Sequence, residues 1–172
     1  ELSMDKPAEL RAVTVLFSDL RGFTKTSEEL GPEGISAFLN EYLTVMNQVI
    51  FEHGGTIDKF IGDAIMVLFG APQDMSPQEQ VRRATDCAKA MQRRMTVLTE
   101  DWKNDGAGHL QMRIGIHHGN AVVGNFGSAQ RSDYTAIGPT VNMASRIESA
   151  AEPGEVFVSK TTSSLMMEGT TT

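Results

Sequence analysis

The spacing of apolar positions changes along this chain, and each change marks an element. Ala12 to Phe17 is a short, β-branched apolar run ended by Ser18, Asp19 and Gly22, the pattern of a strand covered on both faces. From Ile35 the residues Phe38, Leu39, Tyr42, Met46, Val49 and Ile50 recur at steps of three and four, which predicts a long amphipathic helix ended by Gly54-Gly55. Thr56 to Ile61 and Ala64 to Phe69 are two apolar stretches joined at Gly62-Asp63, a tight hairpin with Asp63 at its tip. Ser76-Pro-Gln-Glu79 is a capping box with proline in the first turn, and Val81, Ala84, Cys87, Ala88, Met91, Met95 and Leu98 supply the stripe of a second long helix. After the loop composition of Lys103 to Gly108, Gln111 to His117 reads as a strand. Gly119-Asn120 predicts a turn into a paired segment, Ala121 to Val123. Gly138-Pro139 opens a third helix ending near Ala151, and Glu155 to Ser159 reads as a closing strand.

The predicted order is β, α, β-hairpin, α, β-hairpin, α, β. Hairpins force antiparallel pairs between the helices, so the expected fold class is α+β: a ferredoxin-like, antiparallel-rich sheet with helices packed over one face. A length of 172 residues, 40% hydrophobic, supports one core, and 1–172 reads as a single domain. The start without Met and the ending Gly169-Thr-Thr-Thr172 suggest a module excised from a longer chain.

Charge narrows the function. The net charge is -7, with 15 Lys and Arg scattered among 22 acids, which argues against a nucleic-acid binder because phosphate-backbone affinity needs a clustered basic face. The one cysteine, Cys87, leaves no disulfide framework or cysteine zinc site. No run reaches the ~20 apolar residues of a membrane span, and the N-terminus lacks a signal-peptide pattern. The expectation is a cytoplasmic segment with no direct membrane contact.

Two carboxylates at strand ends, Asp19 and Asp63, could converge on a hard divalent cation beside a phosphate. Asp19 precedes Gly22, Phe23 and Thr24, whose backbone N–H groups at a helix start would cradle phosphate oxygens; the plainer role is a helix cap. Asp63 alone reads equally as a solvated turn residue, and Lys59 as a snorkelling lysine or a donor to a base. Asn142 and Arg146, spaced i, i+4, share a helix face that is either solvated or built to orient a sugar and stabilise a phosphoryl transition state. Arg113 faces a phosphate or the solvent. His117 and His118 point to opposite faces, against joint metal ligation.

Taken together, Phe17-Ser-Asp-Leu-Arg-Gly-Phe-Thr24, Asp58-Lys-Phe-Ile-Gly-Asp-Ala-Ile-Met66, Met112-Arg-Ile-Gly-Ile-His-His-Gly119 and Tyr134-Thr-Ala-Ile-Gly-Pro-Thr-Val-Asn-Met-Ala-Ser-Arg146 resemble the class III nucleotidyl cyclase catalytic domain. The resemblance implies a homodimer with active sites at the subunit interface. It implies that Asp19, Asp63 and the Leu20 carbonyl of one subunit hold two Mg²⁺ or Mn²⁺ ions, with Phe23, Thr24 and Arg113 near the phosphates. From the other subunit, Lys59 and Thr135 would read the purine, Asn142 would orient the ribose and Arg146 would stabilise the α-phosphate. The pair Lys59 and Thr135 resembles the adenylate-specific pattern, with Thr where many relatives have Asp, and this makes ATP the expected substrate. Guanylate cyclase and a non-catalytic nucleotide-binding dimerisation module are the alternatives. Relatives carry a phosphate-binding lysine on a C-terminal hairpin beyond the end of this sequence, and Lys160 lies too close behind the last strand to take that role.

Overall fold

The computed structural model describes residues 7–170. The extreme ends read above, Glu1 to Lys6 and Thr171 to Thr172, lie outside the described residues. In order, the elements are β1 (Glu9–Arg21), α1 (Phe23–Glu52), β2 (Thr56–Ile61), β3 (Ala64–Phe69), α2 (Pro77–Asp101), a short 3₁₀ turn (Lys103–Asp105), β4 (Gln111–Gly127), β5 (Ser132–Ile137), α3 (Pro139–Ala150), β6 (Val156–Val158) and α4 (Lys160–Thr170). The strands form one sheet in the order β2-β3-β1-β4-β5, with β6 added parallel to β4 and every other pair antiparallel. This is the expected α+β architecture.

Alternation along the strands divides the core in two. Leu16, Leu20, Ile65, Val67, Met112, Ile114 and Ile116 turn to the side where Phe38, Tyr42 and Met46 of α1 and Cys87, Met91 and Met95 of α2 bury their stripes. Val13, Val15, Met66, Leu68 and Val123 turn the other way, and Ala144 of α3 packs there. Helices therefore cover both faces, not one. Their stripes explain the split: α1 and α2 carry long apolar stripes, whereas α3 needs only a narrow seat.

That seat also corrects the predicted turn at Gly119-Asn120. β4 runs unbroken through both residues, and Gly119 is among neither the turn residues nor the positive-φ glycines. A Cβ on Gly119 would lie 2.6 Å from Thr140 Oγ1, and one on Gly115 would collide with the Glu148 backbone. Both glycines are there for close approach of α3. The hairpin forms later, where β4 pairs with β5 from Val122↔Ile137 to Gly127↔Ser132. Elsewhere the β2–β3 hairpin has its predicted bounds, and Ser76 caps α2 by accepting from the Glu79 amide at 3.2 Å. The first helix begins earlier than its apolar stripe, at Phe23, and kinks at Gly31-Pro32; α4 had no apolar signal strong enough to predict it.

Candidate functional site

The β1–β4 register sets Asp19 opposite Arg113. The guanidinium forks the carboxylate, Nε donating to Oδ1 at 3.0 Å and Nη2 to Oδ2 at 2.7 Å, a bidentate pair that holds Arg113 above its ordinary pKa. Arg113 Nη1 also donates to the Ser149 carbonyl at 3.2 Å, and Nε lies 3.4 Å from Glu148 Oε2. One arginine thus ties the sheet to α3. The hairpin tip brings in the second acid: Asp63 Oδ2 accepts from the Leu20 amide at 2.8 Å, and the Tyr42 hydroxyl donates to the Asp63 carbonyl at 3.5 Å.

Burial raises the pKa of Asp63, the Leu20 amide pulls against it, and the charge of Asp19 raises it further. Glu148 is pushed up to about 8, first by burial and then by Asp19. Around these acids is a cleft of about 540 Å³ lined by Asp19, Leu20, Phe23, Thr24, Asp63 and Arg113, at the N-terminus of α1. That helix start is capped by no side chain, so its first amides remain available to an anion.

The donor set fits a hard divalent cation. Among the described residues no three His, Cys, Asp or Glu side chains are placed to hold a metal, so two carboxylates and a carbonyl would have to be completed by water and phosphate. Mg²⁺ takes such a set, one or two carboxylates with substrate phosphates. A cation would offset the burial and the Asp19 charge that raise the Asp63 pKa, and it would take over one of the Asp19 oxygens that Arg113 now engages.

The other predicted residues lie elsewhere. On α3 the buried positions are Thr140, Ala144 and Glu148, a strict i, i+4 stripe on the sheet. Asn142 and Arg146 are two residues out of step with it and exposed, on the opposite side of the helix. Neither makes a side-chain hydrogen bond or ion pair among the described residues. α3 thus shows its own sheet Thr140 and Glu148, and shows the outside Asn142 and Arg146. Lys59 is likewise exposed, whereas Thr135 is buried. Exposed apolar side chains flank these groups in sequence: Phe60 and Ile61 beside Lys59, Ile137 near Thr135, and Met143 beside Asn142. Both histidines face apart as predicted, His117 Nδ1 2.7 Å from Ser159 Oγ and His118 Nδ1 2.8 Å from Thr14 Oγ1.

Two polar residues went unnoticed in the sequence. Glu148 could have been found from its place on the Thr140-Ala144 stripe, where a carboxylate is out of character. Asp58 could not. Its side chain is fully buried, and its Oδ2 accepts from Thr135 Oγ1 at 2.6 Å and from the Ala136 amide at 3.4 Å. β2 and β5 are opposite edges of the sheet, so this contact exists only because the sheet curls until its edges meet.

Comparison with known proteins agrees with the geometry. The family described as "Adenylate and Guanylate cyclase catalytic domain" matches residues 6–172. Adenylate cyclase 1 of Rhizobium meliloti (strain 1021) is 38% identical over 136 residues, covering 79% of this chain and 20% of that protein. The adenylate cyclase of Anabaena cylindrica is 41% identical over 141 residues, covering 82% and 28%. The chain therefore spans between a fifth and three tenths of these curated relatives. Among solved structures, the adenylyl cyclase CyaB from P. aeruginosa superposes with a TM-score of 0.91 at 44% identity, covering 94% of this chain and 83% of that one. The guanylyl cyclase Cya2 superposes at 0.86 with 45% identity, covering 92% and 79%.

Proposed function

The chain belongs to the adenylate and guanylate cyclase catalytic domain family, and from that premise we propose that it converts ATP to 3′,5′-cyclic AMP and pyrophosphate as a homodimer whose active sites are shared between subunits. The observation that carries this reading is the split face of α3. Asp19, Asp63 and Arg113 form one half of a site, while Asn142 and Arg146 project away from it on the far side of the helix. A second chain approaching over Phe60, Ile61, Ile137 and Met143 would bury that apolar border and bring its own Asn142 and Arg146 to this acidic half.

Asp19, Asp63 and the Leu20 carbonyl would hold two Mg²⁺ or Mn²⁺ ions, which when bound supply Lewis acidity toward the ribose 3′-hydroxyl and charge neutralisation for the departing pyrophosphate. The remaining work falls to the chain itself. Arg113, released in part from Asp19, donates to phosphate oxygens, and the amides at Phe23 and Thr24 bind others at the α1 N-terminus. From the second subunit, Asn142 orients the ribose so that its 3′-oxygen lies in line with the α-phosphorus, and Arg146 meets the charge developing there. No side-chain nucleophile is needed. Lys59 donates to adenine N1 and Thr135 accepts from the N6 amine, whereas guanine presents a protonated N1 and a carbonyl at position 6.

Relatives of both base preferences superpose on this chain at nearly equal identity, so guanylate cyclase is the second reading. Turnover of ATP and GTP measured side by side with Mn²⁺ separates the two. Preference for ATP is the expected result; preference for GTP would reassign the substrate, and no cyclic product from either nucleotide would leave a nucleotide-binding dimerisation module.

A further inference from the structure

Thr135 carries a hydroxyl, which can donate or accept, and a hydroxyl free to rotate would serve adenine N6 and guanine O6 alike. It is not free to rotate here. Its proton has two possible takers, the Ala136 carbonyl at 3.4 Å and Asp58 Oδ2 at 2.6 Å, and the shorter, charge-assisted bond prevails. With the proton committed to Asp58, only lone pairs remain for a ligand. Asp58 reaches this position through an irregularity in the hairpin: Ile57 pairs with Val67 and Lys59 with Met66, so Asp58 is the extra residue of a β-bulge. Bulges re-aim side chains, and this one lets neighbouring residues act together, Lys59 Nζ lying 3.7 Å from Asp58 Oδ1. That second oxygen is buried without a hydrogen-bond partner, so the carboxylate has a free acceptor directed at the ammonium's surroundings.

We propose that Asp58 is a specificity-determining positioning residue: by holding the Thr135 proton and steadying Lys59, it makes the first an obligate acceptor and the second a placed donor, a pattern that admits a 6-aminopurine and rejects a 6-oxopurine. The proposal rests on the reading that Lys59 and Thr135 face the purine. Asp58 itself need not touch the base.

The test is the ratio of kcat/KM for ATP to that for GTP, with Mn²⁺, in the wild-type chain and in Asp58→Asn, Thr135→Val, Lys59→Glu and the Asp58→Asn/Thr135→Val double variant. An asparagine amide can donate to Thr135 and free its proton for guanine O6, so D58N is expected to lower the ratio about tenfold, the worth of one exchanged hydrogen bond. T135V is expected to lower it by a similar factor, and D58N to add nothing in the T135V background. A merely structural role for Asp58 would depress both nucleotides equally and leave the ratio unmoved. If K59E and T135V shift the ratio and D58N does not, this inference fails while the base-reading assignment survives. If neither K59E nor T135V shifts it, the assignment fails and the inference with it. Should D58N not fold, Asp58→Ala, which also leaves the Thr135 proton uncommitted, takes its place: a lowered ratio supports the proposal, and an unchanged ratio overturns it.

Discussion

The acidic half of the site and the α3 outer face are built to opposite rules. Around Asp19 the polar groups engage one another within the same chain: Arg113 forks Asp19, the Leu20 amide meets Asp63, the Ser149 carbonyl takes the far side of the guanidinium, and Glu148 Oε2 lies beside Nε without a hydrogen bond. On the outer face of α3, Asn142 and Arg146 have no side-chain hydrogen bond or ion pair among the described residues, and Met143 between them in sequence is exposed. A protein surface tolerates isolated exposed groups of either kind. On the shared-site reading the difference has a plain meaning: the first half gathers its ion ligands within one chain, while the second is used only when a partner arrives.

The harshest way to break this comparison is to remove one half from each of two chains. Asp19→Ala and Arg146→Ala should each cut cyclic-nucleotide formation by ~10³-fold, as loss of a transition-state charge contact does, while circular dichroism shows both chains folded. Mixed in equal amounts, the two should recover about a quarter of the wild-type rate, since half the dimers formed at random carry one intact site of two. No recovery from demonstrated heterodimers would mean that the halves do not belong to one site. Next in size, Arg113→Lys keeps the charge and loses the fork, and should cost about 10²-fold in kcat/KM, mostly through KM for the nucleotide. A smaller effect sharpens the contrast from the outer side: Ile61→Ser with Met143→Ser should weaken self-association about tenfold by sedimentation, with thermal stability of the single chain unchanged.

The smallest effect reads the inner side through pH. Burial raises Glu148 to about 8, so its folded form favours the proton, and the stability it contributes is full below the ordinary carboxyl pKa and lost as pH rises through the folded value. Glu148→Gln, a permanent mimic of the neutral acid, should show a flatter fall in stability between about pH 4.5 and about pH 8 by denaturant titration in chelator, a difference on the order of 1 kcal/mol. Parallel curves would show that burial does not hold the proton on this carboxyl.

Much of this contrast was legible in the sequence. The period of three and four announced α1 and α2, and the paired apolar runs about Gly62-Asp63 announced the hairpin with its correct bounds, because local spacing is what those elements depend on. Asp19 and Asp63 were nominated from their positions at strand ends and Arg113 through the family resemblance, and the fold does bring the three together. Gly119 misled because a glycine beside an asparagine has the composition of a turn, while its actual use, room for Thr140, is a tertiary matter. Asp58 was hidden for a related reason. Strand alternation would separate it from Lys59, and neither the bulge nor the curl that carries β2 to β5 leaves a trace in local spacing.

The seat of α3 has one more consequence. Its inner edge rests with no slack on Gly115 and Gly119 and is tied through Arg113 to Asp19, while its outer edge carries Asn142 and Arg146. A rigid rod lodged this tightly cannot roll by even a fraction of an ångström without disturbing both edges together. On the shared-site reading, a signal that merely twists one subunit against the other would detune two catalytic pockets in a single movement, and an attached sensor would need no contact with either.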